Sequence, residues 1–318
     1  MGHQELKEEE RFCIYGLIKA GYNQKEIAVE LNRSPSTICR ELARNSGQRG
    51  YRPKQAQELA ASRKRNSEKH IKCTPEMIMK VTELLHKKWS PEQISNRLKE
   101  QGEESLSHER IYQLVAQDKK SGGDLHTHLR HGKKKRKKRT GSEDRRGTIK
   151  NRVDIDERPD IVEKRERIGD WEFDTVIGKN HKGALVTIVD RMSLKTLIAK
   201  VASKHAGLVT KTSIDLLTPY RDITHTGTAD NGTEFSGHEE IATALDAKFY
   251  FAHPYSSWER GTNENTNGLI RQYIPKGSSL DDYSDEDIQF IEDALNNRPR
   301  KCLGYKTPNE VFESHLSH

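Results

Sequence analysis

Phe12, Tyr15 and Ile18 fall on one stripe of residues 6–20, the spacing of an amphipathic helix, and Gly21 stands where that helix should stop. Asn23 is placed to cap a second helix whose Ile27, Ala28 and Leu31 face one way. Ser34 caps a third, with Pro35 at its first position, where a missing N–H is harmless. In it Ile38 and Leu42 point inward, while Ser34, Ser36, Thr37, Arg40 and Arg44, with Arg33 just before them, are left to face out. Two short helices, a tight turn and a polar, basic second helix predict a helix-turn-helix whose outward residues bind DNA in the major groove. A three-helix module that binds protein is the other reading.

A second helical unit follows. Ser90-Pro91-Glu92-Gln93 reads as a capping box opening a helix with Ile94 and Leu98 inward; Gly102 breaks it. Ser107 starts the next helix, with Ile111, Leu114 and Val115 inward and His108, Arg110 and Gln113 outward. The layout repeats the first unit with fewer positive charges, and suits a spacer or dimerisation element as well as DNA binding.

From Gly169 the period changes. Residues 171–178, 184–191 and 195–201 read as three strands, 203–220 as a helix, 222–230 as a strand ending at Asp230, 237–246 as a helix and 248–254 as a fifth strand. A helix then starts near Gly261 and runs on through Ile274. Three antiparallel strands followed by alternating helix and strand is the order of a ribonuclease H-like fold. The expected class is therefore a multidomain α+β chain: helix-turn-helix modules, then an α/β domain with a mixed five-stranded sheet, for which the ribonuclease H-like name is an analogy. The expected boundaries are 1–49 for the first module, 50–72 for a basic connector and 73–120 for the second module. A basic linker at 121–160 and the catalytic domain at 161–318 complete the chain.

Charge sharpens the division. Of the 318 residues, 1–150 hold 34 Lys and Arg against 20 Asp and Glu, whereas 151–318 hold 21 against 28. A basic front half suits a polyanion. Its densest part is the run Lys133, Lys134, Lys135, Arg136, Lys137, Lys138 and Arg139, which cannot pack and suits sequence-blind, salt-dependent phosphate contact. Other classes fall away. No apolar run reaches the roughly 18 residues of a membrane span, and no signal peptide is apparent. Cys13, Cys39, Cys73 and Cys302 are too scattered for a zinc finger or a disulfide framework. Gly178 to Gly183 has a phosphate-loop spacing but continues with Ala184, and no G-x-S-x-G elbow occurs. These absences predict a soluble, intracellular protein.

Three acids sit where the element order would bring them together: Asp174 midway along the first strand, Asp230 at the end of the fourth, and Glu264 in the first turn of the late helix. Clustered carboxylates need cations, and hard oxygen ligands suit Mg2+ or Mn2+. Two ions about 4 Å apart can serve an in-line phosphoryl displacement. Each acid also has an ordinary reading. Asp170, Glu172 and Asp174 share one strand face and could be solvated carboxylates; Asp230-Asn231-Gly232 could be a turn; Glu264 could complement a helix dipole.

The stretch Ile168-Gly-Asp-Trp-Glu-Phe-Asp-Thr resembles the first catalytic segment of the bacterial transposases of insertion sequence 30, in the DDE transposase and integrase superfamily. Thr228-Ala-Asp-Asn-Gly-Thr-Glu-Phe235 is similar to the second segment, and His253-Pro-Tyr-Ser-Ser-Trp-Glu-Arg-Gly-Thr-Asn-Glu264 to the third. Thirty-three residues separate Asp230 from Glu264, the family's spacing, and the tail Asn297–Asn309 also resembles these proteins. The resemblance implies a catalytic, metal-binding triad of Asp174, Asp230 and Glu264, with Asp170, Glu172 and Asp190 as bystanders. It implies a front half that binds the terminal inverted repeats. It implies 3′-end cleavage and strand transfer into target DNA, no covalent protein intermediate, and a bacterial, nucleoid-associated setting in the cytoplasm. Arg271, seven residues after Glu264, is a further candidate DNA contact, or a cap for a local carboxylate. Handling two element ends implies a homo-oligomer, dimer or higher, on double-stranded DNA. The alternatives are a DNA-binding regulator with an inactive ribonuclease H-like domain, and a nuclease that cleaves without joining.

Overall fold

The computed structural model describes residues 5–66, 73–130, 149–254 and 256–316, so the basic run Lys133–Arg139 lies outside the described residues. The chain forms two compact units, Met1–Ile71 and Lys72–His318. No helix among the described residues is long and apolar enough to cross a membrane.

The first unit holds α1 (Glu8–Lys19), α2 (Gln24–Glu30) and α3 (Pro35–Asn45), a two-residue-strand hairpin of β1 (Ser46–Gly47) and β2 (Gly50–Tyr51), and α4 (Pro53–Asn66). The caps are those expected. Asn23 accepts from the N–H groups of Lys25 and Glu26 in a capping box, and Ser34 accepts from Thr37 N–H. The inward stripe of α1 is not the one expected. Ile14 is fully buried and Arg11 faces in with it, whereas Phe12 and Tyr15 are exposed. The reason is a polar core that apolar periodicity does not register. Arg11 Nε donates to Glu41 Oε1 at 2.8 Å, its Nη1 to Leu6 O at 2.8 Å and to Gln57 Oε1 at 2.6 Å, and Tyr51 OH donates to Glu41 Oε1 at 3.1 Å. Helix α4 lies within the stretch read as a connector; its single fully buried alanine, Ala56, joins the core of Ile14, Ile27 and Ile38.

The second unit opens with α5 (Pro75–His86), α6 (Pro91–Glu100) and α7 (His108–Lys120). Helix α5 was not assigned from sequence; its Met77, Val81 and Leu85 complete the core around Ile94, Leu98, Ile111 and Val115. The expected box at Ser90 forms, with Gln93 N–H donating to Ser90 Oγ and Ser90 N–H to Gln93 Oε1. This trio is fastened to the C-terminal tail. Arg298, almost fully buried, donates from Nε to Gln93 Oε1 at 3.0 Å and from Nη1 to Gln272 Oε1 at 2.7 Å. Gln93 Nε2 donates to Pro299 O at 2.7 Å, Lys301 pairs with Glu92 at 2.7 Å, and Arg97 pairs with Glu310.

After α8 (Asp160–Lys164), β3 (Asp170–Ile177), β4 (Ala184–Asp190) and β5 (Thr196–Val201) form an antiparallel meander. Helix α9 (Ala206–Leu217) leads to β6 (Thr226–Ala229), and α10 (His238–Leu245) to β7 (Lys248–Phe251); β6 runs parallel to both β3 and β7. The order β5-β4-β3-β6-β7 is that of a ribonuclease H-like sheet. Strand β6 is shorter than expected because Thr218–Ile223 winds as a 3-10 helix, and Asp230 follows its last residue. Period-two alternation splits the core in two. Trp171, Phe173, Val186 and Ile188 pack on one face with α9 and α10 residues; Val176, Leu185 and Ile198 pack on the other. That second face receives α11 (Gly261–Ile270) and α12 (Asp285–Asn296), and α13 (Pro308–Leu316) closes the chain, its Phe312 in the first cluster. Gly169, just before β3, has φ +90°, and a Cβ there would lie 1.7 Å from Ile223 O, so only glycine fits.

Candidate active site

The even-numbered residues of β3 set four side chains on the face toward α11: Asp170, Glu172, Asp174 and Val176. Two of the acids expected as solvated are instead buried and neutralised. Asp170 accepts from Arg167 Nε at 2.9 Å and Thr226 Oγ1 at 2.7 Å; Glu172 accepts from Arg191 Nη1 at 2.6 Å and Asn263 N–H at 3.1 Å. Asp190 is likewise buried. Burial pushes its carboxyl up to about 6, against the bonds from Ser193 and Gly169 N–H. Each of these groups ties one structural element to another.

Asp174 is different. Its Oδ1 accepts from Thr175 N–H at 2.8 Å and its Oδ2 from Asn267 Nδ2 on α11 at 2.8 Å, yet it keeps an open side. Desolvation is the main reason its carboxyl is pushed up to about 6; the charges of Asp230 and Glu234 add to this, and Arg260 and the Thr175 N–H oppose it. Asp230-Asn231-Gly232 makes no hairpin, since β6 runs on into α10 and pairs in parallel with β7, but Asp230 Oδ1 accepts from Gly232 N–H at 2.9 Å. Its Oδ2 remains free for Arg260, whose Nη2 lies 3.1 Å away while Nη1 lies 3.8 Å from Asp174 Oδ2. Parallel pairing of β3 with β6 therefore brings two carboxylates onto one guanidinium.

Glu264 stands in the first turn of α11, exposed, with no side-chain hydrogen bond or ion pair among the described residues. It is not gathered with the two aspartates. The three-residue ligand groups within 4.8 Å among the described residues are His86–Asp124–His128 and Asp154–Asp156–His253. The donors Asp174 and Asp230 nevertheless fit a hard divalent cation: they are carboxylate oxygens, the charge of Asp230 adds to what pushes the Asp174 carboxyl up, and a guanidinium already stands between them as a surrogate positive charge.

Two contributors escaped the sequence reading. Glu234, inside the quoted second segment, accepts from Thr175 Oγ1 at 3.2 Å and so borders Asp174. Asn267 lies one turn past Glu264, at the i+3 spacing that could have exposed it. Thr175 and Asn267 also line a cleft of about 1120 Å³ whose other residues include Lys179, His181, Arg271 and Lys276. Arg271 is the C-cap of α11, its N–H still donating to Asn267 O at 3.0 Å, so it stands two turns past Glu264; among the described residues its side chain caps no carboxylate. Helix α11 ends at Ile270, and the Arg271 guanidinium donates to Ile177 O at 3.0 Å.

On the first unit, Ser34, Ser36, Arg40 and Arg44 are exposed and Thr37 is partly so; Arg40 Nε donates back to Ser36 O at 3.0 Å. Thr37, Arg40 and Arg44 line a cleft of about 620 Å³ together with Arg63 and Lys64 of α4, two cations that sequence analysis left in a connector. Arg33 is paired within the unit, its Nε donating to Glu10 Oε1 of α1 at 2.8 Å.

A helix-turn-helix domain family matches residues 3–45. The chain is 47% identical over 312 residues to the transposase for insertion sequence element IS4351 of Bacteroides fragilis, covering 98% of this chain and 96% of that protein. It is 38% identical to the transposase for IS1086 of Cupriavidus metallidurans, over 99% of this chain and 96% of the relative. It is 36% identical to transposase InsI for IS30A of Escherichia coli K12, over 98% of this chain and 84% of the relative. The catalytic core domain of BIV integrase aligns over 47% of this chain and 97% of its own, at 20% identity and a TM-score of 0.37. With such identity extending through both units, the chain belongs to the insertion sequence 30 family of DNA transposases.

Proposed function

We propose that this protein binds the terminal inverted repeats of a mobile element, cleaves their 3′ ends and joins them to target DNA. The observation that carries the reading is the pairing of Asp174 and Asp230 across β3 and β6 on the single guanidinium of Arg260. Asp174, Asp230 and Glu264 would hold one or two Mg2+ or Mn2+ ions, which supply charge neutralisation and oxygen activation for an in-line displacement.

The remaining work falls to the chain. Thr175 N–H and Asn267 hold both oxygens of Asp174, and the turn at Gly232 holds one oxygen of Asp230, so the open sides of both acids face Arg260. Glu264, unpaired among the described residues and one turn before Asn267, would complete the set. Lys179, Arg271 and Lys276 give the neighbouring cleft the charge to follow a phosphate backbone. Helix α3 presents Ser36, Thr37, Arg40 and Arg44 to base edges, extended by Arg63 and Lys64, while Lys133–Arg139 holds phosphates. A dimer or larger assembly brings two ends together.

Incubating the purified chain with labelled repeat-end DNA, target DNA and Mg2+ or Mn2+ tests this. Asp174→Asn, Asp230→Asn and Glu264→Gln should each reduce cleavage and joining by about a thousandfold or more while repeat binding stays within a few-fold. Strand transfer retained by any one variant removes that residue from the set. Cleavage with no joined product from the wild type makes the protein a nuclease.

A further inference from the structure

The side chains of His86, Asp124 and His128 offer ligand atoms that all lie within 4.8 Å of one another, away from the paired aspartates of the sheet. We propose that these three residues form a binding site for a divalent transition metal of the zinc class, fastening α5 to the turn that follows α7.

Donor chemistry sets the class. Two imidazoles and one carboxylate suit zinc, cobalt or nickel, whereas Mg2+ seeks an oxygen shell. Three protein ligands with a fourth position open to solvent is a familiar zinc arrangement. The spacing is near closure. His128 Nε2 is 3.7 Å from Asp124 Oδ2, and the His86 and His128 ring centres are 4.6 Å apart. Ligand atoms on a tetrahedral ion with bonds of about 2.0–2.1 Å stand roughly 3.3 Å apart, so rotamer adjustments of about 1 Å bring the set together.

His86 and Asp124 are exposed, but His128 Nε2 is a buried atom without a hydrogen-bond partner among the described residues, and it faces Asp124. A buried ring nitrogen left unsatisfied is costly unless something binds it. A metal ion answers both that nitrogen and the nearby carboxylate.

The backbone beneath these ligands is fixed on both sides. His86 is the last residue of α5. Asp124 and His128 bracket the 3-10 turn Leu125–His128, where Leu125 is buried and its N–H donates to Asp118 Oδ2 at 3.0 Å. Thr127 N–H and Oγ1 both donate to Asp124 O at 2.8 Å. The neighbouring cation Lys88 is turned away, over the Tyr273 ring. The other histidine cluster lacks these properties: His253 Nδ1 is bonded to Glu259 at 2.8 Å, and Nε2 faces Asp154 and Asp156 at 3.2 and 3.4 Å. That ring is satisfied by ion pairs. Two residues beyond His128, Arg130 Nη2 donates to Asn265 O on α11, next to Glu264. Metal at the His86 site therefore secures the segment that reaches the candidate active site.

The test uses the full chain, stripped with a chelator and titrated with Co2+ and Zn2+ in excess Mg2+. The expected result is one equivalent of Co2+ with the visible absorption of a low-coordinate nitrogen-oxygen site, displaced by Zn2+, and a Zn2+-dependent rise in Tm. His86→Gln, His128→Gln and Asp124→Asn should each weaken that binding about tenfold or more, while matching the wild type in chelator by circular dichroism and Tm. Asp174→Asn and His253→Gln should retain it. Absence of saturable binding up to about 100 μM metal, a range far weaker than a zinc-class site requires, overturns the proposal. So does binding that survives loss of both histidines, or that is abolished by Asp174→Asn.

Discussion

Arg260 Nη2 lies 3.1 Å from Asp230 Oδ2, and the same guanidinium reaches toward Asp174 at 3.8 Å. One charge thus occupies the space between two acids that would otherwise repel. A divalent ion entering that space must displace it. Arg260→Gln should therefore lower the Mn2+ concentration giving half-maximal cleavage by several-fold, whatever it does to the maximal rate. A metal titration of the variant that shows an unchanged or higher requirement would count against this competition.

The Asp174 carboxyl is pushed up from 3.8 to about 6, so the folded metal-free protein holds this proton more tightly than the unfolded chain does. Stability from this group is lost as pH rises through that window and regained as pH falls. Asp174→Asn should raise the Tm of metal-free protein at pH 7, by an amount equivalent to roughly 1–3 kcal/mol, with the gain shrinking as pH falls toward 4. Thermal melts at several pH values in chelator decide this; a gain that is constant with pH removes the titration as its cause.

Arg11 and Glu41 form a buried pair inside the first unit, at 2.8 Å. Removing one partner strands the other. Glu41→Ala should cost about 3–5 kcal/mol, whereas replacing both by apolar residues of similar volume should be near neutral. Denaturant unfolding of the full-length protein, followed by a probe in residues 5–66, measures both. Equal losses for the single and double replacements would show that packing, not charge, is at stake.

Arg33 and Arg40 are seven residues apart and should behave oppositely. Arg40→Ala should cost about 1–3 kcal/mol on the cognate repeat and relax discrimination, with little change in Tm. Arg33→Ala should lower Tm slightly through loss of the Glu10 pair, and Glu10→Gln should match it. Binding to cognate and random duplexes, beside melts of each variant, separates the two. An Arg33→Ala protein of normal Tm that fails only on cognate DNA would reverse the assignment.

Alternation and capping made much of this fold readable. The β3–β4–β5 meander, the order of the later strands, and the caps at Asn23, Ser34 and Ser90 all follow from short-range patterns in the chain. What stayed hidden depends on partners distant in sequence. Nothing local marks Arg11 as a core residue, because its justification is Glu41, thirty positions on. Asp170, Glu172 and Asp174 look alike on one strand, and Thr226, Arg191 and Asn263 from other elements, with nearby Arg167, distinguish the neutralised pair from the open acid. His86 and His128 lie on different elements, with no motif to connect them. The partner of Arg271 is likewise remote, since its guanidinium donates to the carbonyl of Ile177 on β3.

The Arg298 fork makes hydrogen bonds to Gln93 of α6 and to Gln272, two residues past the end of α11. Because this cation is sealed from water, releasing either amide would leave it unsatisfied, and the junction resists partial opening. Any displacement of α6 would therefore be passed to the foot of the helix that carries Glu264.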